Sequence, residues 1–392
     1  MLSVLSWARK ALGARRVLAW AAVGLASVGL AACAPTATGP APVDGEAVQV
    51  ALLVPSGSGQ ASDEYLARSL ENAARLAMAD LGGVKVDLRV YPTAGQASQA
   101  ASAAAQAVSD GARIILGPVF AQEANAAGNA VAASGVSILS FSNNPAIAGG
   151  NVFVLGTTFP NVANRLSRYA VRQGKGNVMI LHDSTAAGEV GRAAIEASVL
   201  AASGSVVGVF GYEFSQNGIV QAAPAIAATA RSNGANALFL TADTAGSLPL
   251  LTQLLRDSGL TPAVTQFVGL TRWDIPPATL ALPGVQGGWF ALPDPSLFQQ
   301  YVQRYTAAYG TPPHPVSGLA YDGIAAIGAL ARRGSGLSAS ALTQGSGFAG
   351  VTGVFRLLPD GSNERGLAVA EIRNNQVVVI DPAPRSFGGA GF

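Results

Sequence analysis

Val48-Gln49-Val50-Ala51-Leu52-Leu53-Val54-Pro55-Ser56-Gly57 begins as an uncharged, β-branched and leucine-rich run and ends on a proline, a serine and a glycine. A short apolar, β-branched run closed by turn formers predicts a strand. An Ala-rich amphipathic stretch, Glu64 to Leu81, follows it, and the same alternation then repeats. Val84 to Val90 precedes Ala97 to Asp110, and Arg113 to Leu116 precedes Gln122 to Ser134. Ser137 to Ser140 and Val152 to Leu155 add two more strand-like runs. Strand followed by helix, several times over, predicts a parallel sheet with helices on its faces.

The rhythm restarts after a helical stretch near Asn161 to Gln173. Strands are expected at Val178–His182, Val206–Gly211, Ala237–Thr241 and Gln266–Leu270, with helices around Glu189–Ala202, Ile219–Ser232 and Leu248–Asp257. Helices return at Ser296–Tyr309 and Ser317–Arg333. The chain ends in three strand-like runs, Gly353–Leu358, Leu367–Arg373 and Val377–Ile380, joined by the turns Pro359-Asp360-Gly361 and Asn374-Asn375. This is more chain than one core serves, so two α/β lobes are expected. Only 12% of the residues are charged, while alanine and glycine separate recurrent Val, Ile and Leu runs, a composition suited to tight packing of helices on sheets.

The start of the chain has a different character. Arg9, Lys10, Arg15 and Arg16 precede the apolar run Val17 to Leu30, which ends in Ala31, Ala32 and Cys33. About 14 apolar residues fall short of the roughly 18 to 20 that span a bilayer, so residues 1–32 read as a signal peptide. Cys33 is the only cysteine, which excludes an internal disulfide. Leu30-Ala31-Ala32-Cys33 resembles the lipobox of bacterial lipoproteins. That resemblance implies a lipid anchor on Cys33, against the alternative of an ordinary secreted protein. Ala34 in place of aspartate, by resemblance to the enterobacterial sorting rule, implies the outer membrane over the inner one. Residues 33–47, with Pro35, Pro40 and Pro42 among small residues, read as a flexible tether. Four of the 24 basic residues lie in the leader, so the remainder is slightly acidic against 22 Asp and Glu, and a nucleic-acid partner is not indicated.

Across roughly Val48 to Pro382 the chain resembles the type I periplasmic binding proteins, the leucine/isoleucine/valine-binding family. The residues that carry the resemblance are the opening strand and its Ser56-Gly57 turn, Ile114-Ile115-Leu116-Gly117-Pro118, and Ile138-Leu139-Ser140 leading to Asn143-Asn144-Pro145. Further on come Tyr305 to Pro313, Leu319-Ala320-Tyr321-Asp322-Gly323 and Phe348 to Gly361. The resemblance implies two Rossmann-like lobes joined by a three-crossing hinge, with a ligand held between them. Lobe one is expected at 48–160 and 292–345, lobe two at 161–291 and 346–382, and a tail at 383–392. Strand carboxyl ends and helix amino termini meet at such a cleft and offer free backbone N–H groups to an anion.

Candidate ligand-binding residues follow from that placement. Ser56 and Gly57 belong to a Gly-Ser loop that serves either as a cleft lining or as a plain turn, and it lacks the lysine of a phosphate loop. After Gly117-Pro118, family amino-acid binders carry hydroxylated residues that grip a carboxylate; here the chain has Val119, Phe120, Ala121 and Gln122, of which Phe120 and Ala121 offer only backbone amides. Ser142 and Asn143 are either polar contacts or turn residues. Asp183 and Asp243 follow strands and either neutralise a ligand ammonium or serve a helix amino terminus. The bulk of Trp273 and Trp289 suits a core more often than a stacking platform. With two histidines, His182 and His314, and no nucleophile motif, neither catalysis, a metal nor a cofactor is expected.

Two functions are expected, both non-enzymatic. One is a lipoprotein activator of a penicillin-binding protein, regulating peptidoglycan synthesis through a protein partner. It is put slightly ahead by the lipobox and by the missing hydroxyls after Gly117-Pro118. The alternative is the substrate-binding lipoprotein of an ABC importer for branched-chain amino acids or a related small molecule, with a permease as partner.

Overall fold

The computed structural model describes residues 47–387, so the expected leader, Cys33 and all of the tether but Ala47 lie outside the described residues. Among the described residues no helix is long and apolar enough to cross a membrane.

The first half builds one sheet. β1 (Val48–Val54), β2 (Val86–Pro92), β3 (Ile114–Leu116), β4 (Ser137–Ser140) and β5 (Val152–Val154) alternate with α1 (Ala61–Ala79), α2 (Ala97–Ser109) and α3 (Ala121–Val131). The strands are parallel in the order β2-β1-β3-β4-β5. Period-two alternation explains why the opening run carries no charge. Val50, Leu52 and Val54 face α1 and the returning helices, and Ala51 and Leu53 face α2 and α3. On α1 the residues Leu66, Leu70, Ala73, Ala74 and Ala77 recur at helical spacing and bury one stripe.

The second half builds another. α4 (Phe159–Arg172) leads into β6 (Asn177–Asp183), α5 (Ala186–Ala201), β7 (Ser205–Tyr212), α6 (Gln216–Ser232), β8 (Ala237–Leu240), α7 (Leu248–Asp257), β9 (Gln266–Gly269) and β10 (Trp289–Leu292). The chain then returns through α8 (Pro295–Tyr309), α9 (Gly318–Arg332) and the short α10 (Ala339–Leu342) to pack on α1. It ends with β11 (Phe348–Gly350), β12 (Gly353–Leu357), β13 (Asn363–Arg365), β14 (Ala368–Arg373) and β15 (Gln376–Asp381). The second sheet runs β15-β14-β10-β9-β8-β6-β7, parallel except where β14 and β15 pair antiparallel at one edge. The polypeptide passes between the lobes at residues 155–158, 293–294 and 366–367.

Two expectations need correction. β10 was not foreseen, because four residues between Gly288 and Pro293 give too short a run to stand out. Residues 346–366 do not join lobe two as expected. β11, β12 and β13 form a small sheet of their own, and Phe348, Phe355 and Leu357 pack in the lobe-one core beside Ile324 of α9. Only β14 and β15 extend the second sheet.

Candidate functional site

Beside the crossings, polar side chains tie the small β11–β13 sheet to lobe one and to the start of α4. Arg365 donates from Nε to the Leu155 carbonyl at 2.7 Å and from Nη1 to Thr352 Oγ1 at 2.7 Å and Asp322 Oδ2 at 3.3 Å. The Thr352 hydroxyl in turn donates to Asp322 Oδ2, and the Asp294 amide donates to the Thr352 carbonyl at 3.4 Å. Asn363 donates to the carbonyls of Val154 at 2.7 Å and Gly156 at 2.9 Å, while Asn161 donates to the Asn363 carbonyl at 2.9 Å. The Asp322 and Arg365 side chains are 0% and 2% exposed. Burial pushes the Asp322 carboxyl upward and the Arg365 guanidinium downward, and the attraction between them opposes both shifts.

Lobe one supplies the near wall of the cleft. Gly117 sits at φ +83°, and a Cβ there would meet the Leu53 carbonyl oxygen at 2.2 Å, so only glycine lets the chain turn so close to β1. The following Pro118 carbonyl accepts from the Phe141 amide and the Ser140 hydroxyl, both at 3.0 Å, which fixes the turn against the loop after β4. Val119, Phe120, Ala121, Phe141, Ser142 and Asn143 therefore face one space. The N-cap of α3 is Phe120, which gives its first turn no side-chain acceptor. Within that turn Glu123 is fully buried and neither carboxylate oxygen accepts a hydrogen bond, so burial pushes its carboxyl upward.

Lobe two supplies the far wall through residues 270–275, just past the carboxyl end of β9. Trp273 is 0% exposed and packs against Gly269 and Gly288, where added Cβ atoms would each lie 2.2 Å from the indole. This anchor holds its neighbours outward. Thr271 donates to the Ala242 carbonyl at 3.3 Å, and Thr244 donates to that of Ile275 at 2.6 Å. Arg272 grips Asp274 with Nε at 2.6 Å and with Nη2.

Between these walls lies a cavity of about 890 Å³, lined from both lobes and from all three crossings. Its walls are mainly apolar, with Phe120, Phe141, Phe159, Phe298 and Ile275 prominent, and Arg272 is its one charged lining residue among those described. A second cavity of about 370 Å³ adjoins it behind Arg272 and Phe298, with Asp274 in its wall. The size and apolar lining fit a small organic molecule. No histidine or acidic side chain lines the larger cavity, and no group of three or more His, Cys, Asp or Glu among the described residues is placed to hold a metal.

Of the residues expected at the site, the structure brings Phe120, Ala121, Ser142 and Asn143 to the cavity. Ser142 is half engaged, its hydroxyl accepting from the Asn144 amide at 3.1 Å. Asn143 is exposed. Gln122 is outside the lining. So are Ser56 and Gly57, whose loop is closed by the Gly57 amide donating to Glu64 at 2.6 Å, the plain-turn alternative. Asp183 is also elsewhere: its carboxylate accepts from the Thr185 amide at 3.0 Å and from the Thr185 hydroxyl, and Thr185 caps α5. Asp243 is exposed outside the lining, its carbonyl taking the Leu248 amide at 3.1 Å. His182 is buried beside Glu189, and Trp273 and Trp289 are core residues. The residues missed include the aromatic walls Phe141, Phe159 and Phe298, and also Thr271, Arg272 and Ile275, to which the expected strand Gln266–Leu270 pointed, since ligands gather at strand carboxyl ends.

None of the curated proteins compared with the chain matches it. Among solved structures, a Rhodospirillum rubrum protein assigned to branched-chain amino acid ABC transport is 21% identical, with a TM-score of 0.72, over 86% of this chain and 100% of that one. An ABC transporter substrate-binding protein from Desulfitobacterium hafniense in complex with Leu is 17% identical, with a TM-score of 0.63, over 86% and 100%. A solute-binding protein from Rhodopseudomonas palustris in complex with 3,4-dihydroxybenzoic acid is 18% identical, with a TM-score of 0.58, over 86% and 96%. At these identities the likeness is one of fold. A family model described as periplasmic binding protein matches residues 47–376, and with it the two-lobed fold and the interlobe cavity find their place: the chain belongs to the periplasmic binding protein family.

Proposed function

We propose that the chain is the substrate-binding component of an ABC importer, holding a small organic molecule between its lobes and presenting it to a permease. The observation that carries this reading is the 890 Å³ cavity lined by both lobes. Its walls are joined through the three crossings, the geometry in which hinge closure buries a ligand. The similar proteins from R. rubrum, D. hafniense and R. palustris are transport or solute-binding proteins, two of them with a ligand. These likenesses favour the importer over an activator of penicillin-binding proteins, which was put ahead on sequence and has no comparable support.

Family membership implies a periplasmic location, and a lipid on Cys33 would hold the protein at a membrane there. Metabolic labelling with a palmitate analogue tests the anchor, and Cys33→Ser removes the label if the reading holds. The binding role is tested by calorimetry and thermal denaturation on full chain stripped of ligand by unfolding and refolding. A panel of amino acids and organic acids should contain at least one compound with a submicromolar Kd, which raises Tm in proportion to its excess over Kd. Silence across the panel in both measurements counts against the reading.

A further inference from the structure

Charge enters the cleft from one direction only. Arg272 is the single charged side chain among the described residues that line it, and Asp274 opposite it faces the adjoining cavity. Asp274 occupies Nε and Nη2 of Arg272 and leaves Nη1 without a partner. A guanidinium has more N–H donors than one carboxylate uses, so a second carboxylate can be received at the same group. The Arg272 side chain is 34% exposed and is held by its two hydrogen bonds to Asp274, which orient it without enclosing it.

An ammonium finds no counterpart there. Asp183 spends its carboxylate on Thr185, Asp243 lies outside the lining, and Asp294 at the second crossing caps α8 through the Ser296 and Leu297 amides. A cation closed into this space would meet Arg272, apolar walls and neutral polar groups such as Ser142, Asn143 and Thr271, with no carboxylate to pair with, and a buried charge without a counter-charge is unfavourable. Those walls include the phenyl rings of Phe120, Phe141, Phe159 and Phe298, and Phe120 is 38% exposed in the open cleft. Covering such rings is what an apolar ligand body does well.

We infer that the cleft takes a hydrophobic organic carboxylate without an α-ammonium, a branched-acyl or aryl acid, with Arg272 as its counter-charge and the phenylalanines as its walls. This rests on the substrate-binding reading and narrows it. The test uses matched trios that differ only in their charged groups: isocaproate, L-leucine and isoamylamine, and hydrocinnamate, L-phenylalanine and phenethylamine. Calorimetry on the stripped full chain should show at least one of the two carboxylates binding about tenfold or more tightly than its amino acid, with the amines silent. Arg272→Gln should weaken that carboxylate about tenfold or more and leave the matching primary amide within about twofold. A carboxylate that binds no more tightly than its amino acid overturns the inference and leaves the substrate-binding reading standing. An Arg272→Gln protein that binds the carboxylate unchanged overturns the role of Arg272. If neither trio nor any compound of the wider panel binds, both fall together.

Discussion

Arg365 faces Asp322 and Arg272 faces Asp274, and the two pairs differ in what surrounds them. At the crossings the guanidinium and the carboxylate are 2% and 0% exposed, and their hydrogen bonds go to Leu155 and Thr352, groups that the hinge must hold in place. At the lobe-two wall the corresponding exposures are 34% and 13%, and a guanidinium nitrogen opens on a cavity. One pair is committed to the fold, and the other keeps binding capacity in reserve. Burial decides between these outcomes, because a desolvated pair loses far more when one partner is removed than a partly hydrated pair does.

Breaking the buried pair should have the largest effect. Asp322→Ala or Arg365→Met leaves one charge uncompensated in the core and should lower unfolding stability by about 3–5 kcal/mol in urea denaturation, with the double variant losing less than the sum of the two. Additive losses would show that the pair is not coupled. Gly156→Ala comes next, at the first crossing, where a Cβ would lie 2.3 Å from the Ser142 carbonyl oxygen. The backbone must move to admit it, so a loss of about 1–3 kcal/mol is expected, together with weaker ligand binding.

Glu123 sharpens the comparison, as a buried carboxylate with no cation beside it. Its folded value lies above the ordinary one, so its contribution to stability is complete in acid and is lost as pH rises through the folded value. Glu123→Gln, which carries no charge, should match the parent in acid and exceed it by about 1 kcal/mol at neutral pH. Equal stabilities at both pH values would refute this. The smallest effect on stability belongs to Arg272→Gln, which should stay within about 1 kcal/mol because a partly hydrated pair contributes far less than a buried one. Its consequence should appear in ligand binding alone.

The alternation of strands and helices was legible because each element announces itself locally. Val48–Val54 is apolar on both faces and α1 repeats its stripe at helical spacing. The lobe-one wall was partly legible for the same reason, since Phe120, Ala121, Ser142 and Asn143 directly follow strands and a Gly-Pro turn. The hinge network was not, because Asp322, Thr352 and Arg365 are far apart in the chain and meet only after β11 to β13 fold onto lobe one. Arg272 was hidden between a threonine and a tryptophan, where nothing local marks a binding arginine. Asp183 and Asp243 stood at strand ends like true ligands, yet the Asp183 carboxylate serves the turn it begins and Asp243 lies exposed outside the lining.

Closure of the lobes on a ligand is read most directly as a distance. Spin labels at Gln122 on lobe one and Asp243 on lobe two, both exposed and outside the cavity lining, in a Cys33→Ser background, report the opening of the cleft by pulsed electron resonance. A broad distribution that shortens and narrows with saturating isocaproate or hydrocinnamate is the predicted result. A distribution unmoved by any compound of the panel would contradict a closing, ligand-binding cleft.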